Sequence, residues 1–384
     1  VMKAPVLSSS SPLADALSTR AWLALGAALL LIAAYRWGVP LAAWIAPSLN
    51  AMLLGERYAA SMGVAVGRVR TAGIVATAVM AGAVTAFCGP IAFVGIAVPH
   101  MIGSGDPRLI DKFVKPTLAG ELIGSLAITE PGGGSDVGHL RTTAVRDGDH
   151  YVVNGAKTYI TSAVRGDYVV AAVRTGGPGA AGISMLVIEK GTPGFEVSRK
   201  LAKMGWRSSD TAELSFTDAR VPVENLVGAE NTGFLQIAQA FVSERVGLAV
   251  QAYSSAQRCL DITVAWCRDR ETFGKPLISR QSVQNTLADM ARRIDVARVY
   301  SRNVIERQLA GETNLIAEVC FAKNTAVEAG EWVANQAVQL FGGMGYMAEC
   351  EIERQYRDMR ILGIGGGTTE IMTSLAAKTL GYQA

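Results

Sequence analysis

The distribution of charge divides this 384-residue chain before any motif is read. Residues 1–103 hold six Lys/Arg and two Asp/Glu, whereas residues 104–384 hold thirty and thirty-one. Charged side chains resist burial, so the first density specifies a membrane-like segment or an unusually apolar helix pair. The second is ordinary for a water-exposed globular fold. One kind of surface cannot serve both, and the chain reads as two parts.

Within the first part, Ala21–Tyr35 is uncharged and rich in Leu and Ala. It is followed by Arg36 and an apolar stretch broken by Pro40 and Pro47. From Thr71 to Gly105 there is no Asp, Glu, Lys or Arg. A spanning helix takes about 20 apolar residues, so Thr71–Val98 is long enough, with Pro90 as an interruption. The Ala21 run is short for a span and has no clear cleavage site. Frequent Gly and Ala suit close-packed membrane helices. The expectation is membrane association through residues 21–100, and the alternative is a buried helix pair of a soluble domain.

The net charge of +3 gives no reason to expect nucleic acid as a partner. The five cysteines, Cys88, Cys259, Cys267, Cys320 and Cys350, are odd in number and scattered, which suggests reduced thiols in a cytoplasmic setting. His100, His139 and His150 have no metal-ligand spacing, so neither a metal site nor a Ser–His–Asp arrangement is expected.

The second part changes period twice. Residues 104–124 read as the end of a helical region, stopped by Pro116 and Gly120. Ala127–Val137 then carries three glycines and the hydroxyls of Thr129 and Ser135, so backbone amides can approach a ligand closely. Residues 125–230 read as short strands, among them Tyr151–Val153, Tyr168–Val173, Ser184–Ile188 and Glu213–Phe216, with turns at Asp147–His150 and Asn154-Gly155. That spacing predicts a small barrel or sandwich. Residues 231–384 have helical periodicity in a first run from Phe234 to Ala249, three more near Gln281–Ala310, Ile316–Phe341 and Ile352–Leu362, and a terminal piece near Ile371–Leu380, predicting a C-terminal four-helix bundle. The fold class is α+β.

One pair of charges interrupts the first helix of that bundle. Between Phe234 and Ala252 only Glu244 and Arg245 are charged. Adjacent residues on a helix point about 100° apart, so the two do not neutralise each other face to face. A carboxylate on an apolar helix is costly unless paired or used, and burial raises its pKa toward useful base strength. The alternative is a solvated Glu244 at the helix's outer edge.

Five motifs, in order, carry a family resemblance: Ala127–Val137, Tyr159–Ser162, Arg270–Gly274, Gln339–Tyr346, and Arg357-Asp358 leading to Ile364–Ile371. From about residue 103 to the C-terminus the chain resembles the acyl-CoA dehydrogenase family of flavoenzymes. Residues 20–100 resemble a fragment of the permease subunits of iron-siderophore and cobalamin ABC importers. That likeness rests on Leu49–Glu56, Ala60–Val64 and Gly89–His100. The chain thus reads as a chimera, with a permease fragment where a dehydrogenase carries its N-terminal helical domain.

The dehydrogenase resemblance implies FAD as cofactor and the oxidation of an acyl-CoA to its trans-2-enoyl-CoA. Leu126, Ile128 and Thr129 match positions beside the isoalloxazine, and Tyr159 and Thr161 match its pyrimidine edge. Many relatives carry Trp where Tyr159 stands, and the residue-level alternative for Tyr159 is a core aromatic. Arg270, Thr272 and Phe273 match residues that reach FAD across a subunit interface, which implies a homotetramer or homodimer. Gln339 and Gly343 match further FAD contacts, as do Thr368 and Glu370 near the adenosine. Ser135 matches a CoA contact. Arg245 matches a residue that touches the pantetheine arm or orients the base.

Many members place the catalytic Glu directly before the Gly-Thr of the C-terminal loop, and here that position is Gly366. A branch with isovaleryl- and long-chain-type enzymes takes the base from a Glu-Arg pair on the first bundle helix. Glu244-Arg245 matches that pair, with Glu370 as the remaining candidate. The Gly366 N–H keeps a role on the substrate thioester oxygen. The implied partners are an acyl-CoA and an electron-transfer flavoprotein. The alternatives are an acyl-CoA oxidase on the same fold, or an inactive chimera of permease fragment and dehydrogenase remnant.

Overall fold

The computed structural model describes residues 94–382, which belong to one compact unit beginning at Ala92. The apolar runs at Ala21–Tyr35 and Thr71–Phe93, and Cys88, lie outside the described residues. No described helix is long and apolar enough to cross a membrane.

Two helical segments lead in. Helix α1 (Val94–Ser104) ends at Gly105, where φ is +70°. Helix α2 (residues 107–118) starts on Asp106, whose carboxylate accepts from the Arg108 N–H. It runs through a π-helical turn at Ile110–Val114 into Lys115–Leu118. Pro at its first position fits, since that N–H has no helical partner.

Eight strands follow: β1 (Gly124–Ala127), β2 (Thr143–Asp147), β3 (His150–Thr161), β4 (Tyr168–Arg174), β5 (Ile183–Glu189), β6 (Phe195–Lys200), β7 (Thr211–Pro222) and β8 (Leu226–Val227). They pair in the order β6-β7-β3-β2-β4-β5-β8, with β1 added parallel to β4. The path ends at β6 and β8 among the described residues, so of the barrel or sandwich expected from strand spacing a closed barrel does not form. The join between its halves is slight, because β2 and β4 meet only at Thr143 and Arg174.

Strands β4 and β5 stand between two cores. Every residue of β4 from Tyr168 to Val173 is buried, as is every residue of β5 from Ile183 to Ile188. Alternate side chains face opposite ways. Val169, Ala171, Val173, Leu186 and Ile188 join Tyr151, Val153, Leu214 and Phe216 in one core. Tyr168, Val170, Ala172, Met185 and Val187 join α1 and α2 in another, through Ala97, Val98, Met101, Leu109 and Phe113. A strand covered on both faces reads as a continuous apolar run rather than an alternation. The joint at Tyr168 is close: its hydroxyl lies 2.8 Å from Thr117 Oγ1, and Phe113 tilts against its ring at 4.9 Å. A Cβ on Gly124 would sit 2.5 Å from that hydroxyl, so only glycine fits beneath it.

The helical part has three long helices, α3 (Gly233–Asp269), α4 (Gln281–Leu309) and α5 (Ile316–Phe341), and two short ones, α6 (Glu351–Met359) and α7 (Thr369–Thr379). A short hairpin of β9 (Glu271–Thr272) and β10 (Lys275–Pro276) joins α3 to α4. Small residues on α5, Ala322, Ala326, Ala329, Gly330, Val333 and Ala337, let neighbours approach, and α3, α4, α6 and α7 all pack on this helix. The four described cysteines are free and buried.

Candidate active site

Three elements converge on Glu244. It sits about a third of the way along α3, with α5 beside it and the glycine loop between α6 and α7 above it. Its Oε2 is buried and has no hydrogen-bond partner among the described residues. Desolvation raises its pKa above the usual 4.5, against the pull of the Arg245 and Lys323 charges. This is the environment of a base rather than of a solvated edge residue.

Gly366 faces it. With φ at +66°, Gly366 occupies a left-handed conformation that other residues rarely adopt. A Cβ built there would lie 3.7 Å from Glu244 Oε1 and 2.6 Å from Leu248 Cδ1. A side chain at position 366 would therefore enter the space that the Glu244 carboxylate borders. Arg245 points from the adjacent helix position, stacks over Phe241 at 5.5 Å, and donates from Nε to the Gly366 carbonyl at 3.0 Å.

Glu370 is placed differently. It is exposed, near the N-terminus of α7, where Thr368 caps the Ile371 N–H. Backbone N–H donation and the Thr368 hydroxyl hold its pKa below 4.5. That makes it a weaker base than Glu244.

The sheet supplies a second group. Strand β1 runs into Ile128 and Thr129, and the Thr129 carbonyl accepts from the Thr158 N–H of β3 at 2.9 Å. Leu126 and Thr129 are half-buried and Ile128 is buried. Tyr159 sits where the β3–β7 register shifts between Lys157 and Ile160, with φ at +60°. A bulge re-aims a side chain, and Tyr159 is 69% exposed. The core-aromatic reading of Tyr159 is therefore overturned. Thr129, Tyr159 and Thr161 present hydroxyls that bond to no other described residue, a donor set that suits the edge of an isoalloxazine ring.

Two charges that sequence reading passed over hold this group in place. Lys157 is fully buried and donates to Glu130 Oε1 at 2.8 Å and to the Ile128 carbonyl at 3.1 Å. Glu130 in turn accepts from the N–H groups of Arg141 at 2.7 Å and Thr142 at 3.0 Å. Burial pushes the Glu130 carboxyl up, but Lys157 and those donors bring it below 4.5. A charge at an apolar register position of β3 was the available signal. Exposed Ser135 follows on the glycine loop, beside a pocket of about 640 Å³ lined by Gly132, Gly133, Asp136, Arg141 and Arg174. That pocket lies at the glycines of Ala127–Val137 rather than at Glu244 and the α6–α7 loop.

A third group lies at the far end of α5. Arg270 caps α3 and stacks over Trp266 at 5.9 Å, and the Trp266 indole donates to the Leu340 carbonyl at 3.2 Å. Trp266 also stacks on Phe341 at 4.7 Å. These contacts bring Arg270, Thr272 and Phe273 to the same end as Gln339 and Gly343. Phe273 is 96% exposed, with φ at +51°. Thr368 and Glu370 are not there. The residue after Thr368 is held by Asn324, whose side chain donates to the Thr369 carbonyl at 3.0 Å. Asn324 and Phe341 are about 25 Å apart along α5 at 1.5 Å per residue. One chain does not unite the two groups.

The open sheet, the helical unit around α5 and the carboxylate facing the α6–α7 loop form an α+β arrangement, and comparison gives its family. Residues 125–219 match the acyl-CoA dehydrogenase middle domain, and residues 231–381 the C-terminal domain. Residues 14–107 match the FecCD transport family. Cyclohex-1-ene-1-carbonyl-CoA dehydrogenase of Geobacter metallireducens is 40% identical over 283 residues, covering 73% of this chain and 74% of that protein. The rat mitochondrial long-chain specific acyl-CoA dehydrogenase is 38% identical over 290 residues, covering 74% and 67%. The crystal structure of a putative acyl-CoA dehydrogenase from Mycobacterium smegmatis superposes with a TM-score of 0.76 at 78% identity, covering 81% of this chain and 78% of that one. The chain belongs to the acyl-CoA dehydrogenase family. It is an FAD-dependent oxidoreductase acting on acyl-CoA, joined to a permease-family segment.

Proposed function

We propose that the chain converts a saturated acyl-CoA to the trans-2-enoyl-CoA with Glu244 as the base. The observation that carries this reading is the shared space of Glu244 and position 366, where a Cβ would stand 3.7 Å from Glu244 Oε1. A carboxylate reaches that space from α3, so the loop needs none of its own.

Bound FAD supplies the hydride acceptor for the β-hydrogen. Leu126, Ile128, Thr129, Tyr159 and Thr161 hold its ring, and Thr368 and Glu370 lie toward its adenosine. Arg270, Thr272, Phe273, Gln339 and Gly343 serve FAD in a second copy of the chain, which accounts for an exposed Phe273 and for the distance along α5. Arg suits a pyrophosphate because its planar fork gives two donors at fixed charge.

Glu244 takes the α-proton, and the electron pair left on the substrate shifts charge onto the thioester oxygen. The Gly366 N–H donates to that oxygen, which lowers the barrier most where charge develops. Ser135 and Arg245 lie on the CoA side of the substrate. Electrons leave to an electron-transfer flavoprotein, as a dehydrogenase rather than an oxidase requires. The test is the visible spectrum of the purified chain during anaerobic addition of acyl-CoAs, followed by admission of oxygen or of an electron-transfer flavoprotein. A flavin band that bleaches and is restored by the flavoprotein supports the reading. Peroxide release at a comparable rate would make the chain an oxidase, and no bleaching would end the assignment.

A further inference from the structure

Three consecutive carbonyls of the glycine loop are held by two cations. Lys323, on α5, is 1% exposed, and its ammonium donates to the Gly365 carbonyl at 2.7 Å and to the Gly367 carbonyl. Arg245, on α3, donates to the Gly366 carbonyl between them. Neither the Gly366 nor the Gly367 N–H meets a backbone acceptor among the described residues.

The geometry of a trans peptide gives this a consequence. The Gly365 carbonyl and the Gly366 N–H belong to one planar unit and point in opposite directions. An ammonium fixed on the carbonyl therefore fixes the direction of the N–H. It also draws electron density through the amide, which strengthens that N–H as a donor. Glycine leaves the backbone free at φ values of +66° and +100° for residues 366 and 367, so something else must select the conformer. Arg245 and Lys323 do so from opposite helices. The groups around Glu244 are the same two cations, with the neutral thiol of Cys320 beside them.

We propose that Lys323 is a positioning residue of the reaction: through the Gly365 carbonyl it aims and polarises the Gly366 N–H of the loop that faces Glu244. A buried ammonium would be expelled from an apolar helix interface unless its donors were used. Here they are used on loop carbonyls, not on a carboxylate. The cation keeps Glu244 ionised and ready to accept a proton, at some cost in basicity, while the N–H it aims stabilises the oxygen that receives the charge.

The proposal rests on Glu244 as base and Gly366 as thioester donor, so its test separates the three residues. The probe is a 3-thia-acyl-CoA, which can lose an α-proton but has sulfur where the β-hydride would leave. Solvent deuterium entering Cα is followed by mass spectrometry from pH 5 to 9 with FAD-loaded protein, alongside binding of the probe. In Lys323→Met we expect exchange at least tenfold slower, binding within threefold of the parent, and a pH midpoint shifted upward. Lys323→Arg, which restores charge and donors, is expected to recover the midpoint.

Unchanged rate and midpoint in folded Lys323→Met would overturn the proposal. Exchange in Glu244→Gln equal to the parent would remove Glu244 as base while leaving the Lys323 comparison to stand on its rate alone. If Lys323→Met does not fold, Lys323→Gln is read in the same way. Loss of FAD from both neutral variants would overturn the proposal in favour of a lysine needed only for folding.

Discussion

Arg245 donates to the Gly366 carbonyl at 3.0 Å, although the two residues are 121 positions apart. The neighbour of the candidate base thus anchors the loop that faces it. Adjacent positions on α3 divide the work because their side chains diverge by about 100°. Glu244 keeps an oxygen without a partner among the described residues, and Arg245 fixes the loop.

Replacing Glu244 by Gln should leave FAD bound, since the change is nearly isosteric and removes a buried charge rather than adding one. General-base catalysis is worth roughly 10²–10⁴-fold, and a loss in that range is expected in the anaerobic bleaching rate. Near-normal bleaching would exclude Glu244 as the base.

The pH profile should carry the mark of burial. Desolvation holds the Glu244 pKa above 4.5, and a base works only when deprotonated. Activity should therefore rise with pH through an acid limb displaced upward from the ordinary carboxylate range. A rate–pH series for bleaching measures it, and a limb at or below 4.5 would contradict the assignment.

Lys157→Met should destabilise the sheet and release flavin. The change strips a buried partner from Glu130, and breaking such a pair costs about 3–5 kcal/mol. Denaturant unfolding with parallel measurement of FAD fluorescence would show both effects. A loss below about 1 kcal/mol with FAD retained would mean that water replaces the ammonium.

His100 on α1 offers a test of the permease-like helix. Its ring is buried, neither nitrogen has a partner among the described residues, and burial lowers its pKa to about 4. The unfolded chain binds this proton from about pH 6.5 downward, while the folded chain refuses it until about 4. Stability is therefore unaffected above 6.5 and falls between 6.5 and 4, by up to about 3 kcal/mol. The difference in unfolding free energy between the parent and His100→Leu should widen as pH falls through that window. A constant difference would show that His100 reaches solvent.

Arg270→Gln should weaken FAD retention with little change in the melting of the apoprotein, because Arg270 is exposed and packs only over Trp266. Gel filtration with absorbance at the flavin band would read it. Equal retention would place the pyrophosphate elsewhere.

Local pattern carried much of this protein. Strand period, helix period and glycine clusters are properties of neighbouring residues, so the sheet, the long helices and the Glu244–Arg245 pair are legible in the chain itself. A lone carboxylate on an apolar helix signals itself because burial of charge is costly. Lys323 gives the same signal among Val319, Ala322 and Ala326 on α5, and Lys157 gives it on β3. What they hold could not be read, because Gly365 and Glu130 reach them only through folding. The barrel failed for a related reason: strand spacing records lengths, whereas closure depends on whether β6 meets β8. The 3.7 Å that would separate Glu244 Oε1 from a Cβ at position 366 belongs to tertiary structure alone. It arises where α3 and the α6–α7 loop cross, and no local interaction sets that crossing.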